Sequence, residues 1–398
     1  MTTAIIITFC VLLLISYFFD LSSSKTKIPS VILLLALGWL VRQSTHFLDF
    51  DIPDLSPFLP ILGSIGLILI VLEGALELEL NKSKIGLIKK SFFGALLPIL
   101  ALSFLFAYLF SYFGQYLFRD CLVNAIPLAI ISSAIAIPSV KNLSSSQKEF
   151  VIYESSLSDI LGVIFFNFVI FNRVIGLESF GNFGLQLLII IVVSFLATIL
   201  LSFLLSKIET KIKFVPIILL VILIYEISKI YHLPALIFIL MFGLFIGNID
   251  ELKRFKWIQK FRPDILNKEV GKFKELTIEA TFLISSLFFL LFGYLIDTAD
   301  ILDTSTLKWS VSIVAIILVF RLIQLKISKL KLIPLLFVSP RGLITILLFL
   351  SISEFDRISF VNKSLIIQVI IISALLMMFG LMITKKHKKG LEKSEEES

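Results

Sequence analysis

The sequence contains few charged residues, three histidines and two cysteines, and these scarcities exclude several classes of protein. Asp, Glu, Lys and Arg make up 16% of its 398 residues, whereas a soluble domain carries about 25%. Cys10 and Cys121 both lie in apolar stretches, which favours packed thiols over a disulfide or a metal site. The chain also lacks a phosphate-binding loop, a dinucleotide fingerprint and any nucleophile–base arrangement, so it is not expected to be an enzyme.

Apolar residues are abundant instead and make up 58% of the chain. They occur in runs of roughly 17–25 residues, which is the length that crosses the hydrocarbon core of a bilayer. Lipid offers no hydrogen-bond partners, so such runs predict helices and not a barrel. We therefore predict an all-α integral membrane protein with about thirteen transmembrane helices, near residues 3–19, 28–40, 58–78, 91–113, 122–140, 150–171, 185–205, 215–230, 233–247, 278–296, 309–325, 333–352 and 364–383.

The distribution of Lys and Arg predicts the orientation of the chain. With the N-terminus outside, the inner loops and the tail hold 27 of these residues and the outer loops hold 7, while Arg321 and Arg341 fall within spans. This asymmetry predicts a multi-pass protein of the plasma membrane, or of the inner membrane of a bacterium, with the C-terminus in the cytoplasm. The basic residues lie in short loops beside membrane lipid, which argues against a nucleic-acid partner. The inner loop 250–277 mixes aromatic and basic residues, as an amphipathic helix on the membrane surface or a solvated linker would.

The sixth span carries two carboxylates and two hydroxyls in an otherwise apolar sequence. At 100° per residue, Glu154, Ser155, Ser158 and Asp159 lie on one side of the helix, within about 140° of each other. Ionisable residues inside a membrane usually have a function, and oxygen ligands without His or Cys suit a hard cation such as Na⁺. Glu154 is closer to the inner end of the span, so simple solvation is the alternative for this residue.

Two spans are interrupted by proline. Pro138 in the fifth span should disturb the helix a turn upstream, near Ala134. The twelfth span contains Ser339-Pro340-Arg341-Gly342, in which a buried Arg341 would need a carboxylate partner. The two segments hold corresponding positions in the two halves of the chain, and paired interrupted helices are typical of the substrate site of a secondary transporter.

Four segments together resemble one family. The segment 154–159, ESSLSD, resembles the E-S-x-x-N-D signature of monovalent cation–proton antiporters, the sodium/hydrogen exchanger superfamily. The segments 72–78 (LEGALEL), 243–248 (GLFIGN) and 339–343 (SPRGL) are similar to three further motifs of that superfamily, in the same order along the chain.

The resemblance implies two inverted repeats whose fifth and twelfth helices are partly unwound and cross. It also implies a homodimer. Residues 1–384 would form the transmembrane domain, with core helices at about 91–171 and 309–383 and dimerisation helices at about 3–78 and 185–296. Residues 385–398 would form a short cytoplasmic tail.

The same resemblance assigns roles to individual residues. It implies that Asp159 binds either a cation or a proton, that Glu154 and Ser155 belong to the same site, that Arg341 pairs with Glu154, and that Ser132 supplies a carbonyl ligand. Two positions depart from the family pattern. The usual T-D-P of the fifth span is Ser132-Ser133-Ala134, and the usual N-D is Ser158-Asp159.

From these residues we predict a secondary active transporter that exchanges a monovalent cation, with Na⁺ favoured, for protons and uses no cofactor. Burial disfavours the charged form of Asp159 and a bound cation favours it, so one carboxylate would hold either ion but not both. Asp159, Ser155 and Glu154 are the predicted Na⁺ ligands, Ser158, Ser132 and Ser133 complete the site, and exchange would be electroneutral. The alternatives are a Na⁺- or H⁺-coupled carrier of an organic solute and a non-transporting membrane sensor derived from an antiporter.

Overall fold

A computed structural model of the chain describes residues 2–26, 28–48, 53–80, 82–140, 143–173, 176–207, 213–252 and 263–396. Helices are the regular elements throughout these residues. They are α1 (Thr2–Thr26), α2 (Ser30–Phe47), α3 (Phe58–Glu77), α4 (Ile85–Gly114), α5 (Phe118–Ala129), α6 (Ser133–Ser139), α7 (Ser145–Phe171), α8 (Leu177–Lys207), α9 (Phe214–Ile230), α10 (Leu236–Gly247), α11 (Ile249–Leu252), α12 (Pro263–Tyr294), α13 (Thr298–Leu302), α14 (Thr304–Ile327), α15 (Leu343–Ser351) and α16 (Lys363–Glu396), with 3₁₀ turns at Lys82–Lys84 and Leu335–Phe337.

The all-α membrane architecture is confirmed. Each predicted span coincides with one helix or with a pair of short helices, and ten apolar stretches of the described residues are long enough to cross a membrane. The apolar helix α10 has 12 residues and is shorter than a full span, so the total of thirteen crossings stays a prediction. Residues 253–262, which form much of the predicted surface helix, lie outside the described part of the chain.

The helices pack in two groups. We call α4–α7 and α14–α16 the crossing group, because these helices contact mainly each other and contain both interrupted segments. We call α1–α3, α8–α10 and α12 the flanking group, in which α12 packs on α2 and α3 and α10 packs on α3 and α8. Helix α3 also contacts α6, α7 and α15, so it lies along the boundary between the groups. The predicted roles of core and dimerisation domain stay predictions.

The flanking group is held together by close backbone contacts. A Cβ atom added at Gly38 of α2 would lie 2.7 Å from the backbone N of Tyr294 in α12, and one added at Gly293 of α12 would lie 2.9 Å from the Cα of Leu35 in α2. The side chain of Asn248 clamps the end of α3, since its amide donates to Leu78 O at 2.7 Å and its Oδ1 accepts from Leu80 N–H at 2.6 Å. These contacts leave no space between the helices that they join.

Both interrupted segments break where they meet. The fifth predicted span is two helices, α5 and α6, separated at residues 130–132. The break lies earlier than the predicted position near Ala134, and Pro138 lies within α6. The reason is that the break is fixed by tertiary hydrogen bonds, including one from Ser132 N–H to Pro340 O at 2.9 Å, and not by the proline. In the twelfth span the break at residues 338–342 precedes α15.

Candidate functional site

Asp159 lies in the middle of α7 and is 1% exposed. Its Oδ2 accepts hydrogen bonds from the hydroxyl of Ser133 and, at 3.3 Å, from the backbone N–H of Ser133, the first residue of α6. Its Oδ1 is buried and has no hydrogen-bond partner among the described residues. Asp159 therefore has one oxygen fixed by the fifth-span break and a second oxygen available for a cation or a proton.

Ser158 holds the break beside Asp159 in place. Its hydroxyl oxygen accepts a hydrogen bond from the backbone N–H of Ile131 at 2.9 Å. Ile131 lies between α5 and α6 and has no helical partner for this N–H, so Ser158 satisfies a group that the unwinding exposes.

We expect Ser158→Ala to lower the free energy of unfolding by about 1–3 kcal/mol, because a buried N–H would lose its only acceptor. Ser158→Asn should retain most of the stability, since its amide oxygen can accept the same hydrogen bond. Ser194→Ala is the matched control, because the buried Ser194 hydroxyl donates only to Ile190 O within its own helix. Thermal unfolding in detergent measures all three variants, and equal stability of Ser158→Ala and Ser194→Ala would contradict the assigned role.

Ser132 lies at the crossing of the two breaks. Its buried hydroxyl has no hydrogen-bond partner within the described part of the chain, and its carbonyl oxygen accepts from Ala136 N–H at 3.0 Å. A Cβ atom added at Gly342 would lie 2.9 Å from this hydroxyl and 2.6 Å from Cδ1 of Ile135. A side chain at position 342 would therefore require Ser132 and Ile135 to shift.

The predicted pairing of Glu154 with Arg341 is wrong. Glu154 is buried and forms its ion pair with Arg321 of α14, and the same Oε1 atom also accepts a hydrogen bond from Gln324 Nε2. Arg321 additionally donates to Leu335 O at 3.1 Å and to Val338 O at 3.2 Å. The physical reason is geometric, since Arg321 reaches Glu154 while Arg341 is occupied elsewhere.

Arg341 binds backbone carbonyls. Its guanidinium donates to Leu128 O at 2.9 Å and to Ala129 O at 3.2 Å, at the C-terminal end of α5, and also to Ser339 O at 2.5 Å. The carbonyls at a helix end carry partial negative charge and lack partners within the helix. Arg341 therefore supplies the donors that the last carbonyls of α5 lack. At the other side of the break, the backbone N–H of Ser133 at the start of α6 donates to Asp159.

The three predicted Na⁺ ligands differ in their surroundings. Asp159 keeps an unpartnered oxygen, whereas Glu154 is engaged by Arg321 and Gln324. The hydroxyl of Ser155 donates to Val151 O within α7 at 2.7 Å and retains its lone pairs. The described residues contain no cluster of three or more His, Cys, Asp or Glu side chains, so a cation here would be bound largely by hydroxyl and carbonyl oxygens.

A cavity of about 320 Å³ reaches this site between the two helix groups. Ser133, Ala134, Ile137 and Pro138 line it on the crossing side. Helices α1, α2, α3 and α12 form the opposite wall, which includes the acidic residues Asp20, Glu73 and Glu77. Lys148, near the start of α7, and Glu77, at the end of α3, place the cavity at the end of the bundle that carries the basic loops.

Ion pairs lie at the other end of the bundle. Lys363, the first residue of α16, donates to Leu295 O beyond α12 at 2.9 Å and pairs with Asp300 at 3.0 Å. Nearby, Arg119 binds Asp356 in the loop between α15 and α16. Burial raises the pKa of Asp356, but hydrogen bonds from Arg119 and Ser353 outweigh this effect and lower the pKa below its ordinary value. The contacts of Lys363 therefore join the end of α12 to the start of α16 at this end of the bundle.

Two residues of the site escaped prediction. Arg321 is one of only two arginines within the spans, and this signal could have identified it as a partner for Glu154. Gln324 follows one helical turn later and binds both partners of the ion pair. It donates to Glu154 through Nε2, and its Oε1 accepts from Arg321 Nη1 at 3.0 Å. Nothing in the sequence distinguishes this glutamine from the buried Gln368 of α16, which binds Thr306 and Ser310.

Comparisons with known proteins agree with this architecture. A family model described as the transmembrane domain of the sodium/hydrogen exchanger matches residues 9–385. The structure of the sodium/proton antiporter MjNhaP1 from Methanocaldococcus jannaschii at pH 8 is similar, with a TM-score of 0.66, 19% identity and 96% of each chain covered. An electron-microscopy structure of the same antiporter gives a TM-score of 0.66, 16% identity and 95% coverage of each chain. No curated protein sequence matches the chain significantly.

Proposed function

The chain belongs to the sodium/hydrogen exchanger family of cation/proton antiporters, and from this premise we propose that it exchanges one Na⁺ for one H⁺ at Asp159. The main support is the position of this carboxylate, which is buried at the crossing of two helix breaks with one oxygen unpartnered. The carboxylate binds a proton or a partly dehydrated cation in turn, since each removes the cost of a buried negative charge.

The buried charges of the crossing group support an electroneutral exchange. Among the described residues of this group, the buried charged side chains are Glu154, Asp159, Arg321 and Arg341, so two acids balance two bases when Asp159 is ionised and empty. Binding of either Na⁺ or H⁺ to Asp159 adds one positive charge. The two loaded forms therefore carry the same charge through the membrane, and the membrane potential does not favour one direction of exchange over the other.

Ser133 makes Asp159 the only exchanging carboxylate at the break. The related antiporters that the sequence resembles have an aspartate where this chain has Ser133. A serine hydroxyl donates to Asp159, whereas a second carboxylate would compete with it for a proton. The acidic wall of the cavity attracts cations toward Ser133, and Asp159 lies directly behind it.

The orientation in the membrane, the ion-carrying part and the dimer contact are proposed from the charge distribution and the packing of the helices. The cavity end of the bundle carries the basic loops, so we place it in the cytoplasm, with the N-terminus outside and the protein in the plasma membrane. The crossing group acts as the ion-carrying core. A homodimer forms through the flanking group, whose outer faces are otherwise covered by membrane lipid.

The test is cation-driven proton flux in liposomes that contain the purified protein and an internal pH dye. We expect Na⁺ to drive proton movement, Li⁺ to act similarly as a small hard cation, and K⁺ to act more weakly. The rate should not change when a K⁺ gradient with valinomycin sets the membrane potential. A rate that depends on the potential would contradict the one-for-one exchange.

The alternatives predict different results in the same liposomes. A coupled carrier of an organic solute gives no proton flux until its solute is present. A sensor gives no flux under any condition, although the protein remains folded by size-exclusion chromatography and thermal unfolding. Either result would contradict the proposed exchange.

A further inference from the structure

Ser156 is a buried hydroxyl that no role described above explains. It lies on α7 three residues before Asp159, is 3% exposed, and its Oγ has no hydrogen-bond partner among the described residues. Most serines inside helices donate to a carbonyl four residues earlier, as Ser155 does to Val151. A buried hydroxyl without a partner costs free energy, so its presence needs a reason.

The position of Ser156 relates it to Asp159. Residues three apart on a helix are neighbours on its surface, about 5–6 Å apart at their Cβ atoms. Ser156 is rotated by about 60° from Asp159 around the axis of α7, and this rotation turns it toward α3. Its hydroxyl is thus one turn nearer to the end of the bundle at which the cavity lies.

Gly74 of α3 packs directly against Ser156. A Cβ atom added at Gly74 would lie 2.8 Å from Ser156 Oγ, so this oxygen occupies space that a side chain at position 74 would need. Gly74 lines the cavity together with Ser133, and Ser133 is bonded to Asp159. Ser156 Oγ and Asp159 Oδ1 are therefore two unpartnered oxygens on one helix, next to residues of the same cavity wall.

We propose that the Ser156 hydroxyl is a further ligand of the transported cation, which it contacts as the ion passes from the cavity to Asp159. This inference rests on the proposed exchange at Asp159 and adds a residue to it. A hydroxyl oxygen replaces one water of the ion's hydration shell, and small hard cations such as Na⁺ and Li⁺ bind such ligands. A proton needs no such ligand, so Ser156 acts on the cation half of the exchange only.

The experiment is a titration of proton flux against Na⁺ concentration in liposomes at one fixed pH. We expect Ser156→Ala to raise the KM for Na⁺ about tenfold, which corresponds to about 1.4 kcal/mol of binding free energy. The rate at saturating Na⁺ should stay close to that of the unchanged protein, because Asp159 and its contacts remain. Gly74→Ala should raise the KM similarly by covering the same oxygen, and the double variant should add little to either change.

Ser103→Ala is the matched control. Ser103 of α4 is also a fully buried serine whose Oγ has no hydrogen-bond partner among the described residues, but α4 contributes no residue to the lining of the cavity. This variant should keep the KM of the unchanged protein.

Separate outcomes test the inference and the function on which it rests. An unchanged KM in Ser156→Ala, with flux present in the parent protein, overturns the role of Ser156 and leaves the exchange intact. A lower maximal rate at an unchanged KM would also overturn it, since that result indicates a role in folding or movement. Absence of flux in the parent protein overturns the proposed function itself.

Discussion

Replacement of Asp159 by asparagine is expected to abolish cation–proton exchange while leaving the protein folded. Asparagine has nearly the same shape, and its carbonyl oxygen can accept the two hydrogen bonds from Ser133. It cannot take up a proton in the working pH range and offers a cation no negative charge. Flux in liposomes should fall to the level of empty vesicles for all cations tested, whereas thermal unfolding should stay near that of the parent protein.

A carboxylate elsewhere in a span provides the control for this variant. Glu226 lies within α9, its side chain is 44% exposed, and it faces Lys229 at 3.7 Å. Glu226→Gln removes the same charge without touching the breaks, and we expect normal exchange. Substantial flux in Asp159→Asn would contradict the mechanism, because it would require another carboxylate to exchange the ions.

Replacement of Arg321 by methionine is expected to destabilise the protein by about 3–5 kcal/mol, since it leaves the charge of Glu154 buried without a cation. It would also remove the donors to Leu335 O and Val338 O. The additional change Glu154→Gln removes the stranded charge and should recover a large part of the loss. Denaturant or thermal unfolding of the two single variants and the double variant gives the coupling energy directly.

A second double-mutant cycle, which pairs Arg341 with Glu154, distinguishes the roles of the two arginines. Arg341→Met should also destabilise the protein strongly, because it leaves three buried carbonyls without donors. The addition of Glu154→Gln should recover little of this loss, since Arg341 makes no direct contact with Glu154. Stronger coupling of Glu154 to Arg341 than to Arg321 would restore the pairing that the sequence predicted.

The fold could be predicted because it depends on local patterns. Long apolar runs identify spans one by one, and paired proline-containing segments identify the two interrupted helices. The position of the first break could not be found in this way. Ile131 and Ser132 are held open by Ser158 and Pro340, which are distant in the sequence, and no local residue marks the break.

Helical periodicity predicts the four candidate residues of α7, which are Glu154, Ser155, Ser158 and Asp159. The family resemblance directs attention to Ser132 and Ser133 in the fifth span. The partners of these residues come from other helices, and their choice depends on which side chain reaches into the bundle. Both Arg321 and Arg341 fall within spans, and only the tertiary packing decides that the first binds Glu154 and the second binds the end of α5.

The glycine contacts between α2 and α12 have a mechanical consequence for the proposed exchange. Helices whose backbones touch at Gly38 and Gly293 cannot slide without a clash, so this part of the flanking group moves as a rigid body. Under the proposed exchange, exposure of Asp159 at the opposite end would then come from rotation of the crossing group against this rigid part. Hinge motion would occur in the connections that join the groups, which link α3 to α4, α7 to α8 and α12 to α14.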